Sequence, residues 1–113
     1  MAQKVELRFE GVDEVEAQRL ARLLKDDLLD EVEGISAEIS KDRADTMDFG
    51  ATLVLVLGTR VAVEIAKAVG DFLRRHSGAK LNISADGAVI AQGLDSKDAA
   101  KIASAFAERF KAN

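Results

Sequence analysis

The sequence contains no cysteine, proline, tryptophan or tyrosine, and it has a single histidine in 113 residues. Without cysteine there can be no disulfide, thiolate metal site or cysteine nucleophile. One histidine excludes a metal site with several histidine ligands from one chain. Five phenylalanines offer few stacking platforms for single-stranded nucleic acid, and a net charge of −4 argues against general nucleic-acid binding. We therefore expect no cofactor, no metal and no nucleic-acid partner.

The residues that are present predict one domain over 1–113. Apolar residues make up 48% of the chain, and a chain of this length can bury a core without disulfide or metal support. The first ten residues, MAQKVELRFE, lack the apolar segment of a signal peptide. The longest uncharged stretch, residues 49–59, is shorter than the roughly 20 residues that cross a bilayer. The expectation is a cytoplasmic protein that does not span a membrane.

Alternation and capping patterns predict the first elements. Val5, Leu7 and Phe9 alternate with charged residues, which is typical of a half-buried strand. Asp13 stands three residues before Glu16, a spacing similar to a capping box, so we expect a helix over about 13–29. Residues 35–40 alternate again and predict a second strand.

The strongest local signal is Asp86-Gly87 between two alternating segments, which predicts a two-residue hairpin turn. In that register Ile83 faces Ile90 and Ala85 faces Ala88. A last helix is expected to follow, capped by Asp95 or Ser96. Its predicted buried stripe is Ala99, Ile102, Ala103, Phe106 and Phe110.

Residues 51–57, ATLVLVL, fit either a buried strand or a short buried helix, because periodicity cannot decide a run of this length. Thr59 is expected to cap a long helix over 60–76. The element order is then β-α-β-(α or β)-α-β-β-α. This order predicts an α+β two-layer sandwich of about four strands, including the Asp-Gly hairpin, with the helices packed on one face.

The long helix is the most informative element. Its charged residues fall on one stripe, and the rest of its circumference is apolar or small. Ala62, Ala66 and Gly70 form a ridge of small residues, and Val63 lies beside it. Two interpretations remain open: close helix packing within the domain, or an interface with a partner or a second copy.

The loop over 41–50 contains the other candidate residues. Asp48-Phe49-Gly50 matches the kinase magnesium tripeptide, but the other kinase motifs are missing, so we interpret it as a chance match. Asp45 and Asp48 could in principle act as an acid and base pair. Asp45, Asp48 and Phe49 are also candidates for an interaction surface. His76 is better explained as a residue at a helix end than as a general base.

Charge is unevenly distributed along the chain. Residues 26–33 contain five acidic side chains without EF-hand spacing, so a solvated face or a partner surface explains them better than a metal site. Residues 1–50 carry 14 acids and 7 bases, whereas residues 51–113 carry 6 acids and 9 bases. This asymmetry allows head-to-tail association between copies, or the two signs simply mingle in the folded chain.

From residue 45 onward the chain resembles the small effector-associated constant component proteins of bacterial conflict (antiphage-type) gene systems. The matching segments are DTMDFGATLVLVLGTRVAVEIAKAVGDFLRRH and KLNISADG. The family pattern is a glycine before an apolar helix, a break of small residues, a second helix with a basic end, then a strand and a turn. Here those places are filled by Gly50, Gly58-Thr59, Arg74-Arg75 and Asp86-Gly87.

The resemblance implies that residues 51–57 are helical and that the protein is a companion of variable effectors, without an enzymatic activity of its own. Our first hypothesis is therefore a non-catalytic adaptor that binds a protein partner, an effector or sensor, or forms a homo-oligomer. The alternative is a module that self-assembles or acts on membranes by unmasking apolar helices over 51–73. A charged helix makes the membrane interpretation less favourable.

Overall fold

A computed structural model describes residues 3–41, 51–85 and 88–109. These residues form five strands, three α-helices and one 3-10 turn. In chain order the elements are β1 (Gln3–Glu10), α1 (Glu14–Glu31), β2 (Ser36–Lys41), β3 (Ala51–Leu57), a 3-10 turn (Thr59–Val61), α2 (Ala62–Arg75), β4 (Lys80–Ala85), β5 (Ala88–Leu94) and α3 (Ala99–Arg109).

The strands form one antiparallel sheet in the order β2-β3-β1-β4-β5. The central strand is β1, in which Leu7 lies opposite Leu53 of β3 and Ile83 of β4. Residues that lie opposite each other share a face of a sheet, so this row of large apolar side chains belongs to one face. All three are completely buried. The two edge strands are β2 and β5.

All three helices cover that apolar face. The ring of Phe72 on α2 lies 5.8 Å from the ring of Phe9 on β1, between ring centroids. Both α1 and α3 pack against α2, which places them in the same layer. The predicted α+β two-layer architecture, with helices on one face, is confirmed.

The sheet has five strands where the sequence predicted about four, because residues 51–57 form β3. The helix implied by the family resemblance is wrong at this segment. Leu53, Leu55 and Leu57 are buried, and Val56 points to the opposite face, where it is 38% exposed. This two-residue period suits a strand between β1 and β2, and β-branched valines favour extended backbone. The proposed apolar helical hairpin over 51–73 therefore has no helical first half.

The first helix begins as predicted. The Asp13 carboxylate accepts a hydrogen bond of 2.8 Å from the backbone N–H of Glu16, so the Asp13 cap is confirmed. The Glu16 carboxylate accepts two hydrogen bonds from Arg19, at 2.7 and 2.8 Å. The helix extends to Glu31, two residues beyond the expected end, and the backbone N–H of Val32 closes it on Leu28.

The long helix starts later than predicted. The 3-10 turn occupies Thr59–Val61, and α2 begins at Ala62 with Val61 in the N-cap position and no side-chain capping bond. The predicted Thr59 cap is therefore wrong. His76 is the C-cap, as expected for a residue at the helix end: its backbone N–H donates to the carbonyl of Phe72 at 3.0 Å.

One of the two residue pairs predicted for the last hairpin is confirmed and the other is wrong. Ala85 lies opposite Ala88, but Ile83 lies opposite Ala91 because β5 carries two register shifts. The side-chain oxygen of Asn82 accepts a hydrogen bond of 2.8 Å from the backbone N–H of Gly93, which has a φ of 64°. The Asn82 side chain of β4 thus accepts from a backbone N–H of the bulged strand β5. The predicted turn, Asp86-Gly87, lies outside the described residues.

The last helix starts at Ala99, after a turn rather than directly after Asp95 or Ser96, so both predicted caps are wrong. The backbone N–H of Asp95 donates to the Asp98 carboxylate at 2.9 Å, and this turn delays the helix. Ile102 and Phe106 are buried as predicted, whereas Ala103 is exposed. Phe110 lies outside the described residues.

Candidate interaction surface

The small-residue ridge of α2 packs within the domain. Ala62, Ala66 and Gly70 are all buried. A Cβ atom built on Gly70 would lie 3.8 Å from the Cβ of Ala99 on α3. Small side chains let two helices approach closely, so α3 packs against this ridge. Close packing within the domain therefore accounts for most of this predicted surface.

Val63 is the exception, because this residue is 76% exposed. It lies at the rim of an open groove between α2 and α3 that has a volume of about 470 Å³. The described charged residues along this groove, Lys67 and Arg74, are both cationic. The full lining is Ala62, Val63, Ala66, Lys67, Gly70, Arg74, Ala99, Ala103, Phe106 and Ala107.

A second groove lies on the other side of α3, between that helix and edge strand β5, with a volume of about 720 Å³. Our reading of the sequence missed this site. Two signals point to it: β5 carries no charged residue, and five of the 11 residues of α3 are alanine. The lining residues are Ile90, Ala91, Gln92, Leu94, Ala100, Lys101, Ser104, Ala105 and Glu108.

The other predicted surface residues, Asp45, Asp48 and Phe49, lie outside the described residues. So do the kinase-like tripeptide and the acid pair drawn from the same loop. The structure therefore brings Ala62, Ala66 and Gly70 together beneath α3, with Val63 at the groove rim.

The uncovered face of the sheet is mainly polar. The Arg8 guanidinium donates to the Thr52 hydroxyl oxygen at 3.2 Å. Val54 and Val56 lie in a shallow depression of about 160 Å³ near the β2 edge. This depression is much smaller than either groove beside α3.

The acidic end of α1 lies beside the charged stripe of α2. The Arg75 guanidinium donates to the Asp27 carboxylate at 2.7 Å. Glu31 of α1 and Glu64 and Asp71 of α2 line a depression that also contains Lys67. Opposite charges from the two halves of the chain thus mingle at this contact. Among the described residues, no group of three or more acidic or histidine side chains is placed to hold a metal ion.

His76 is not arranged with a catalytic partner in the described structure. Its ring stacks against Phe72, with centroids 4.3 Å apart. Hydrogen bonds near the starts of α1 and α3 shift the pKa values of three side chains. The hydrogen bond from Arg19 lowers the pKa of Glu16, and the same bond raises the pKa of Arg19. A backbone hydrogen bond from Asp95 lowers the pKa of Asp98.

A search with protein-family models, curated proteins and solved structures found no match for this chain. Within residues 3–41, 51–85 and 88–109, none of the helices combines the length and apolar character needed to cross a bilayer.

Proposed function

We propose that this protein is a non-catalytic interaction module, a cytoplasmic companion of an effector in a bacterial conflict system. The observation that carries the proposal is the groove between α2 and α3, with Val63 76% exposed at its rim. An exposed valine beside buried alanines is a place where a partner gains apolar burial at little desolvation cost.

The groove suits a helical partner segment. The exposed part of its floor is formed by Ala103 and Ala107, with Val63 at the rim, and small side chains of this kind let a helix approach closely. Lys67 and Arg74 supply positive charge along the floor's edges. Among the described residues Arg74 pairs with Asp71 of its own helix, at 3.5 Å, and both side chains are largely exposed. The fitting partner is an amphipathic helix whose apolar stripe is bordered by carboxylates.

The effector context comes from the family resemblance, which rests on glycine and apolar positions and on the basic end of α2. Arg74 and Arg75 lie in the last turn of α2. The adaptor role agrees with a groove between two helices whose other faces are buried in the core. Residues 51–57, where the resemblance implied a helix, are not part of the groove.

The test is affinity purification of the tagged protein from its native host, with mass spectrometry of the proteins that co-elute. Val63→Glu places a carboxylate in the groove, and Val15→Glu is the matched control because Val15 is 78% exposed on α1. We expect the wild type and Val15→Glu to retain a stoichiometric effector or sensor, and Val63→Glu to lose it. Equal retention by both variants, or no partner for the wild type, would contradict the proposal.

A further inference from the structure

The groove between β5 and α3 is separate from the proposed effector site, because the two are lined by different residues of α3. It is also the larger of the two, at about 720 Å³. On its α3 side the lining residues include Lys101, Ser104, Ala105 and Glu108, which share one helix face at i, i+3, i+4 and i+7 spacing.

The shape of β5 decides which kind of segment this groove accepts. A free edge strand normally invites an extended peptide to add as a further strand. Here the pairing of β5 with β4 shifts register twice. One shift lies between the β4 residues Leu81 and Ile83, and the other between Ile83 and Ser84. Bulges of this kind twist an edge and interrupt a regular ladder. A helix, which needs no backbone partner, is therefore the better occupant.

The charges on this face of α3 indicate which helix occupies the groove. Lys101 and Glu108 stand at equal distances from the midpoint between Ser104 and Ala105. In an isologous interface residue i meets residue j, and j meets i. A two-fold axis at that midpoint places Lys101 beside Glu108 of a second copy, each about 5 Å along the helix axis from the centre. The small residues at the centre allow the two helices to approach closely.

We infer that α3 packs antiparallel against α3 of a second copy, in the groove beside β5, and that two Lys101–Glu108 pairs set the register. Within one chain Lys101 pairs with Asp98 at 3.5 Å while its side chain is 76% exposed. The Asp98 side chain is 17% exposed, but a pair of this length with so exposed a cation is weak, so Lys101 can exchange this partner for Glu108 of the second copy at little loss.

The test measures molar mass by sedimentation equilibrium on the full chain. Lys101→Glu alone produces two Glu–Glu contacts in a homodimer, and Glu108→Lys alone produces two Lys–Lys contacts. We expect a dimer for the wild type and about tenfold weaker dimerisation for each single variant. An equimolar mixture of the two variants pairs opposite charges at both positions and should restore the dimer.

Lys97→Glu is the matched control, because Lys97 is exposed and lies outside the lining of the groove. It makes the same charge change and should leave the dimer unchanged. Circular dichroism checks that each variant folds, and Lys101→Gln with Glu108→Gln serve if a reversed charge prevents folding. With these neutral variants we expect smaller losses of dimer at both positions. A monomeric wild type at about 1 mM, or a mixture no more dimeric than its components, would overturn the inference.

Discussion

Arg75 at the end of α2 and Asp27 of α1 form a hydrogen-bonded ion pair of 2.7 Å across 48 positions of sequence. The pair joins the acidic first half of the chain to the basic second half. At this contact the uneven charge distribution is balanced within one molecule. Charges paired within one molecule are less available to another copy, which weakens the argument for head-to-tail association.

The Arg75–Asp27 pair should contribute little to folding stability. The Arg75 side chain is 53% exposed and the Asp27 side chain 32% exposed. We expect a double-mutant cycle with Arg75→Gln and Asp27→Asn to give a coupling free energy of about 0.5 kcal/mol. The coupling should fall in 1 M salt because solvent ions screen the pair, and this can be followed by urea denaturation at both salt concentrations. A coupling above about 2 kcal/mol would show that the pair is far better shielded than the structure indicates.

The assignment of β3 as a strand predicts alternating sensitivity to substitution. Leu55 is completely buried, so Leu55→Ala should lower the free energy of unfolding by about 3 kcal/mol. Val56 lies on the other face and is 38% exposed, so Val56→Ala should lower the free energy of unfolding by less than about 1 kcal/mol. Chemical denaturation measures both. Similar losses at the two positions would contradict the two-residue period.

Replacing Gly70 with alanine should stabilise the folded protein. It lies inside α2, and an added Cβ would meet Ala99 at an ordinary van der Waals distance of 3.8 Å. Alanine favours helix over glycine, so Gly70→Ala should raise the free energy of unfolding by about 0.5–1 kcal/mol. Gly93→Ala is the contrasting control, because a φ of 64° strains a residue with a side chain. Thermal denaturation should separate the two in opposite directions.

Asp98 should make the stability of the folded protein depend on pH in the acidic range. The backbone hydrogen bond from Asp95 holds the pKa of Asp98 below its usual value of 3.8 in the folded chain. A carboxyl with a lowered folded pKa contributes stability that is present above its unfolded pKa and lost as pH falls through the folded value. The difference in melting temperature between the wild type and Asp98→Asn should therefore be largest above about pH 5. It should shrink below that pH, and a constant difference down to pH 2 would refute this account.

Much of the fold could be predicted from local patterns. Alternation found β1, β2 and β4, and the spacing of Asp13 and Glu16 located the start of α1. These features depend on neighbouring residues, which a linear sequence displays directly. The α+β architecture followed from the order of elements.

The errors lie where distant residues decide the structure. Residues 51–57 became a strand because β1 and β2 flank them, and no local period could show that. The register of β5 depends on Asn82, whose side chain bonds to Gly93 across the hairpin. The start of α3 depends on the turn held by Asp98. Both grooves arise from the position of α3 on the domain, which its own sequence pattern does not reveal.

Site-specific photo-crosslinking in the native host tests the central claim most directly. A photoreactive residue replaces Val63 at the groove rim in one strain and Val15 in another, since the two valines are almost equally exposed. The account predicts that position 63 crosslinks to an amphipathic, acid-bordered helix of an effector or sensor protein, and that position 15 does not. Crosslinking to the same protein from both positions, or from neither, would contradict an effector site in the groove between α2 and α3.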